Sequence, residues 1–157
     1  MSTDDSGNSV HTLVGPAVKD FKPRGDSSKR SNIKRTLQGA NNIGCGGTDF
    51  SGSPGTTNDA VAALKFQCNG GPTGGGLVRP GKDFYSVGGK MVAYFCNFST
   101  MDNNCYGDEV DDAIANRITA RCGSYQSGWD LIPDRAAQYG YEDISAKFCG
   151  RGRNGCK

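Results

Sequence analysis

The residues that decide the fold run from Asp83 to Phe98, DFYSVGGKMVAYFCNF. In the second half Met91, Ala93 and Phe95 alternate with Val92, Tyr94, Cys96 and Phe98. A strand here carries apolar side chains on both faces and must be covered on both, which predicts a central position in a sheet. The first half, Asp83–Val87, is a second β-rich run, and Gly88-Gly89 between the two is a hairpin signal.

Outward from this hairpin the pattern turns helical on both sides. Upstream, Thr57–Cys68 sets Val61, Leu64 and Cys68 at helical spacing, with Thr56 and Asp59 as a capping box and Asn69-Gly70 as a stop. Downstream, Asp108–Cys122 carries one apolar stripe of Val110, Ala113, Ile114, Ile118 and Cys122. Its acids crowd the start, Arg117 and Arg121 lie near the end, and Gly123 follows as C-cap, each in its favourable place on the helix dipole. A short strand is expected around Cys45–Phe50, a Gly-rich connection over 70–81, a loop over 124–142, and a last strand at Asp143–Gly150. The string (β)αββαβ predicts an α+β, two-layer sandwich. Its sheet is a split β-α-β antiparallel one with both helices on one face.

The core of such a domain is small. Apolar residues make up 35% of the 157, with 24 Gly, seven Cys and one His. All seven cysteines (Cys45, Cys68, Cys96, Cys105, Cys122, Cys149 and Cys156) lie beyond residue 36. No gap is Cys-x-x-Cys and no His lies among them, so the usual zinc and redox-pair patterns are absent. The reading is a disulfide framework of three bridges and one spare thiol, in an oxidising compartment. Pairing cannot be read from spacing.

Residues 1–35 differ in kind. Seven Lys/Arg stand against four Asp, there is no sustained apolar period, and the only histidine, His11, is here. Such a segment is expected to be disordered. It ends in two dibasic pairs, Lys29-Arg30 and Lys34-Arg35, which resemble the cleavage sites of kexin-type processing proteases. The expected organisation is a propeptide over 1–35, a chain that begins after signal removal, and one cysteine-rich domain over 36–157. Asn97-Phe98-Ser99 is an N-glycosylation sequon.

The chemistry on offer is narrow. Without histidine in the processed domain, His-dependent triads and His-ligated metals are excluded, and no cofactor is expected. The surviving enzymatic option is a carboxylate pair, Asp108 with Asp111 or Asp112, against the simpler reading that these acids complement the helix dipole. Neither glutamate, Glu109 or Glu142, is expected in an apolar setting. The Gly70–Gly76 loop lacks the Lys-Ser/Thr ending of a phosphate-binding loop. A net charge of +2 points away from nucleic acid. The longest uncharged apolar run, Met91–Cys96, is too short to span a bilayer. Tyr125, Trp129, Arg135, Tyr139 and Tyr141 mark the 124–142 loop as the expected recognition surface of a monomer.

Taken together, Phe95-Cys96, Cys105, Asp108-Glu109-Val110, Cys122-Gly123, Gly128-Trp129, Tyr139-Gly140 and Cys149 resemble a pattern in small cysteine-rich secreted proteins of filamentous fungi. The element order is similar to the killer-toxin-like α/β sandwiches and the related necrosis-inducing effectors, over roughly residues 43–150. The resemblance implies a secreted virulence protein that binds a plant-host or competitor target and carries no catalytic residues. An antifungal toxin that blocks a membrane protein, or a carboxylate-dependent carbohydrate-active enzyme, are the alternatives.

Overall fold

In the computed structural model the described residues are 2–3, 9–12, 42–70 and 76–149. In chain order the elements are β1 (Ser2–Thr3), β2 (Ser9–Thr12), β3 (Asn42–Asp49), α1 (Pro54–Cys68), β4 (Leu77–Val78), β5 (Asp83–Gly88), β6 (Met91–Asn97) and β7 (Asn103–Asn104). They continue with a helix over 107–122, here α2, then β8 (Gln126–Ile132) and β9 (Ala137–Asp143). Seven strands form one sheet in the order β1-β2-β5-β6-β9-β8-β3, antiparallel from β5 through β3 with β2 parallel to β5, and β4 and β7 make a separate two-stranded sheet. The class is α+β, with three disulfides.

β6 is the central strand its alternation predicted. Every residue of it is buried. Met91, Ala93 and Phe95 join one cluster with residues of both helices, such as Leu64 and Ile118. Val92, Tyr94 and Cys96 join a second cluster on the opposite face with Phe148 and Cys149. There Phe148 stacks on Tyr94 at 5.0 Å and meets Tyr85 edge-on at 5.4 Å. The hairpin turn itself falls on Gly89-Lys90, because Gly88 still pairs with Met91. Gly89 supplies the positive φ of 59° that the first turn position needs.

Three expectations are corrected. The strand expected at Asp143–Gly150 is instead β9, Ala137–Asp143, followed by turns that carry Phe148 back over the sheet. The loop expected over 124–142 is the β8–β9 hairpin, tightened by a 3-10 turn at Pro133–Arg135. The chain therefore ends in two strands where one was expected, and the first strand, β3, lies at the sheet edge beside β8. The capping box at Thr56 is the third. α1 begins at Pro54 after Ser53, with the Thr56 and Thr57 hydroxyls both donating to the Ser53 carbonyl. Pro in the first turn has no amide to satisfy, so the helix starts earlier than the capping pattern indicated.

The stripe of α2 is as read: Val110, Ala113, Ile114 and Ile118 are buried. Its middle, Asp111–Ile118, is π-helical, and the Thr119 hydroxyl donates to the Ile114 carbonyl five residues back at 3.0 Å. The bridges join layers. Cys45–Cys122 ties β3 to the end of α2, Cys68–Cys105 ties the end of α1 to the segment before α2, and Cys96–Cys149 ties β6 to the C-terminal turn. Of residues 1–35, expected as a disordered propeptide, only β1 and β2 are described. The dibasic pairs and Cys156 lie outside the described residues.

On the sheet face away from the helices the Trp129 ring lies across Gly44. A Cβ at Gly44 would fall 2.1 Å from a ring carbon. Gly44→Val should therefore lower stability by about 1–3 kcal/mol, read by urea unfolding. Trp129→Ala in the same chain should recover part of that loss. A Gly44→Val protein as stable as the parent would show that Trp129 does not occupy this site.

Candidate functional site

A groove of about 440 Å³ runs between the two helices. Val61 and Lys65 of α1 and Asp111 and Ile114 of α2 line its walls, and Tyr141 and Tyr125 line it from the sheet side. Lys65 and Asp111 form an ion pair across it. The pair is exposed, so it orients the helices more than it stabilises them. Tyr141 is almost fully buried, and burial followed by the nearby Glu142 charge pushes its phenol up to about 12. Tyr125 is placed by backbone geometry. Its φ of 60° is left-handed, costly for a residue with a Cβ. The Phe50 amide donates to its carbonyl at 2.9 Å and the Asn58 amide reaches its hydroxyl at 3.5 Å. The turn at 123–126 thus aims a partly exposed phenol at the groove.

The five residues expected to share one recognition loop are dispersed. Tyr125 alone reaches the groove mouth. Trp129 points to the opposite face of the sheet, over Gly44. Tyr139 and Tyr141 are core residues, at 0% and 2% exposure. Alternate positions of β9 face the helices, and these two tyrosines occupy them. Neither tyrosine offers a contact surface.

Arg135 belongs to a partly buried cluster. Its guanidinium donates to Glu109 at 2.6 Å and to the Asn103 side chain at 3.1 Å, and it lies over the Tyr106 ring at 5.5 Å. The Tyr139 hydroxyl donates to the same Glu109 oxygen at 2.7 Å. Burial works against the Arg135 charge, but the hydrogen bond and charge of Glu109 outweigh it and hold its pKa above the usual value. Burial, then Glu109, raise the Tyr139 phenol well above its ordinary range. Glu109 is only 6% exposed and Glu142 only 8%, but each is buried among polar partners, Glu109 with Arg135 and Tyr139 and Glu142 with the Thr48 hydroxyl. The cluster ties the β8–β9 turn to the start of α2.

The other carboxylates are engaged as well. Asp108 accepts the Glu109 amide at 3.1 Å, Asp111 holds Lys65, and Asp112 accepts the Asn116 amide at 3.2 Å. Asp130, which no sequence signal singled out, is 0% exposed and meets Arg117 of α2 at 3.0 Å. Burial raises its pKa; Arg117 acts in the opposite direction, and Asp112 adds to the rise. The period-2 spacing of Gly128, Asp130 and Ile132 would have placed it facing the helices, had 126–132 been read as a strand.

Asn97 is not presented for glycosylation in the folded domain. It is 1% exposed, and its amide donates to the Val78 and Met101 carbonyls, both at 2.9 Å. Its oxygen accepts the Ser99 amide and hydroxyl. The spacing that makes the sequon also makes an Asx turn, and the fold uses it as one.

Among the described residues no group of three or more His, Cys, Asp or Glu could hold a metal ion, and no helix is long and apolar enough to cross a membrane. The chain matches no family model, no curated protein and no solved structure.

Arg117→Met would leave Asp130 buried without its counter-ion and should cost about 3–5 kcal/mol, while Arg117→Met with Asp130→Leu should recover most of it. The pH dependence has a definite sign. The folded pKa of Asp130 lies above its ordinary 3.8, so the folded state binds the proton more tightly. The parent should therefore gain stability relative to Asp130→Asn as the pH falls from neutral through the folded pKa towards 3.8. A gap that moves the other way in paired urea titrations would refute this.

Proposed function

We propose that this chain is the proprotein of a small secreted protein of the fungal effector kind, acting by binding a plant-host or competitor target. One observation carries the reading. All six described cysteines pair, and each bridge joins two parts of the fold that a small apolar core must hold together. A bridge typically contributes about 2–4 kcal/mol, a large share of a small domain's stability. Such dependence suits an oxidising, extracellular setting. The interhelical groove with Tyr125 at its mouth is the proposed contact surface, since there a partly exposed member of the expected recognition set meets a concave wall that includes Val61 and Ile114. The engagement of Asp108, Asp111 and Asp112 with their own neighbours favours binding over carboxylate catalysis.

The bridges are tested by alkylating the denatured, unreduced protein and taking its intact mass. One reactive thiol, Cys156, is expected; seven would remove the disulfide framework and the secretion reading with it. The surface is tested by Tyr125→Ala, which should leave the unfolding free energy from urea titration within ~1 kcal/mol of the parent. It should also abolish the response to the infiltrated protein in leaves that respond to the parent. A full response from Tyr125→Ala would move the contact surface elsewhere.

A further inference from the structure

The two outer strands of the antiparallel part of the sheet, β5-β6-β9-β8-β3, are built differently. No residue of β3 is buried, whereas every residue of β5 is. A strand buried on both faces at a sheet edge still offers its outer row of amides and carbonyls to another strand. In this structure that row is taken by β2, which runs parallel to β5 with Ser9 opposite Phe84, Val10 opposite Tyr85, His11 opposite Ser86 and Thr12 opposite Val87. β1 then pairs with β2 on the far side.

Both dibasic pairs lie between β2 and β3 in the chain. Cleavage at either converts β2 from part of the same chain into a separate peptide. Four register pairs hold it, and a strand so short has little affinity once the tether no longer keeps it at high local concentration. The tether itself is long. The 29 residues from 13 to 41 reach roughly 95 Å if extended, against about 20 Å for the width of five strands.

From these placements we infer that β2 covers, in the uncleaved chain, a strand-addition site on β5 that the processed domain offers to an extended segment of its target. The affinity at such a site comes from main-chain hydrogen bonds, and the recognised chemistry is an uncharged β-strand. This deepens the proprotein reading above and rests on it for the release step.

The test is hydrogen exchange, read by mass spectrometry on peptides covering 83–88 and 137–143. Three samples are compared: the intact chain, Val10→Pro, and the intact chain after digestion by a kexin-type protease and separation of the fragment. Residues 83–88 should exchange at least tenfold faster in the second and third samples, with 137–143 unchanged. A synthetic peptide of residues 2–14, added in large excess to replace the lost local concentration, should bind the digested domain, restore the protection, and fail to bind the intact chain. Equal protection of 83–88 in all three samples would overturn the assignment. So would peptide binding to the intact chain, or a digested domain that elutes as a dimer and ignores the peptide. If the protease leaves the chain whole, the proprotein reading fails, and Val10→Pro alone decides whether β2 covers the edge. If Val10→Pro does not form its disulfides, the digest decides, because it changes no residue.

Discussion

Burial of β6 on both faces is the constraint from which the remaining architecture follows. Each face must be closed by a different part of the chain, and the closure away from the helices is the smaller. The helix face is closed by α1 and α2, through Leu64, Ile114 and Ile118 packed over Met91, Ala93 and Phe95. The other face is closed by the C-terminal turn, with Phe148 stacked on Tyr94 and Cys149 bonded to Cys96. Without that bridge Phe148 and the partly buried Ile144 would have to hold the turn against its own conformational entropy. The remaining bridges do the same for the helices.

The polar interior obeys the same logic on a smaller scale. Glu109, Arg135 and Tyr139 form one cluster, and Arg117 with Asp130 forms another, both joining α2 to the β8–β9 hairpin. Buried charges of this kind add little net stability, because the desolvation cost offsets the attraction. What they supply is registry. A shift of α2 along the sheet would leave Asp130 or Glu109 unpaired in the interior. The helix is thereby placed, and with it the wall of the groove that Tyr125 overlooks.

Much of this was legible from residue pattern. The central strand, the α2 stripe and the disulfide framework all follow from local rules that tertiary contacts reinforce. The β8–β9 hairpin was not legible. Gln126–Ile132 interleaves Gly128, Asp130 and Ile132 with Ser127, Trp129 and Leu131, so neither face reads as apolar. Small and charged residues sit there because their neighbours fill the space: α2 residues press on Gly128 and Arg117 covers Asp130. With the hairpin hidden, sequence proximity groups Trp129, Tyr139 and Tyr141, and the strand pleat separates them. The sequon at Asn97 misleads for a related reason, since a sequon and a buried Asx turn share the same spelling.

From the sequence alone came the class of fold, the strand that must be central, the helical stripe and the covalent character of the core. These depend on period and composition, which are local. The tertiary structure alone decided which cysteines pair, which acids are buried, where Tyr125 points and what lies along the β5 edge. Each of these depends on which distant segments become neighbours, and that is set by packing over the whole sheet.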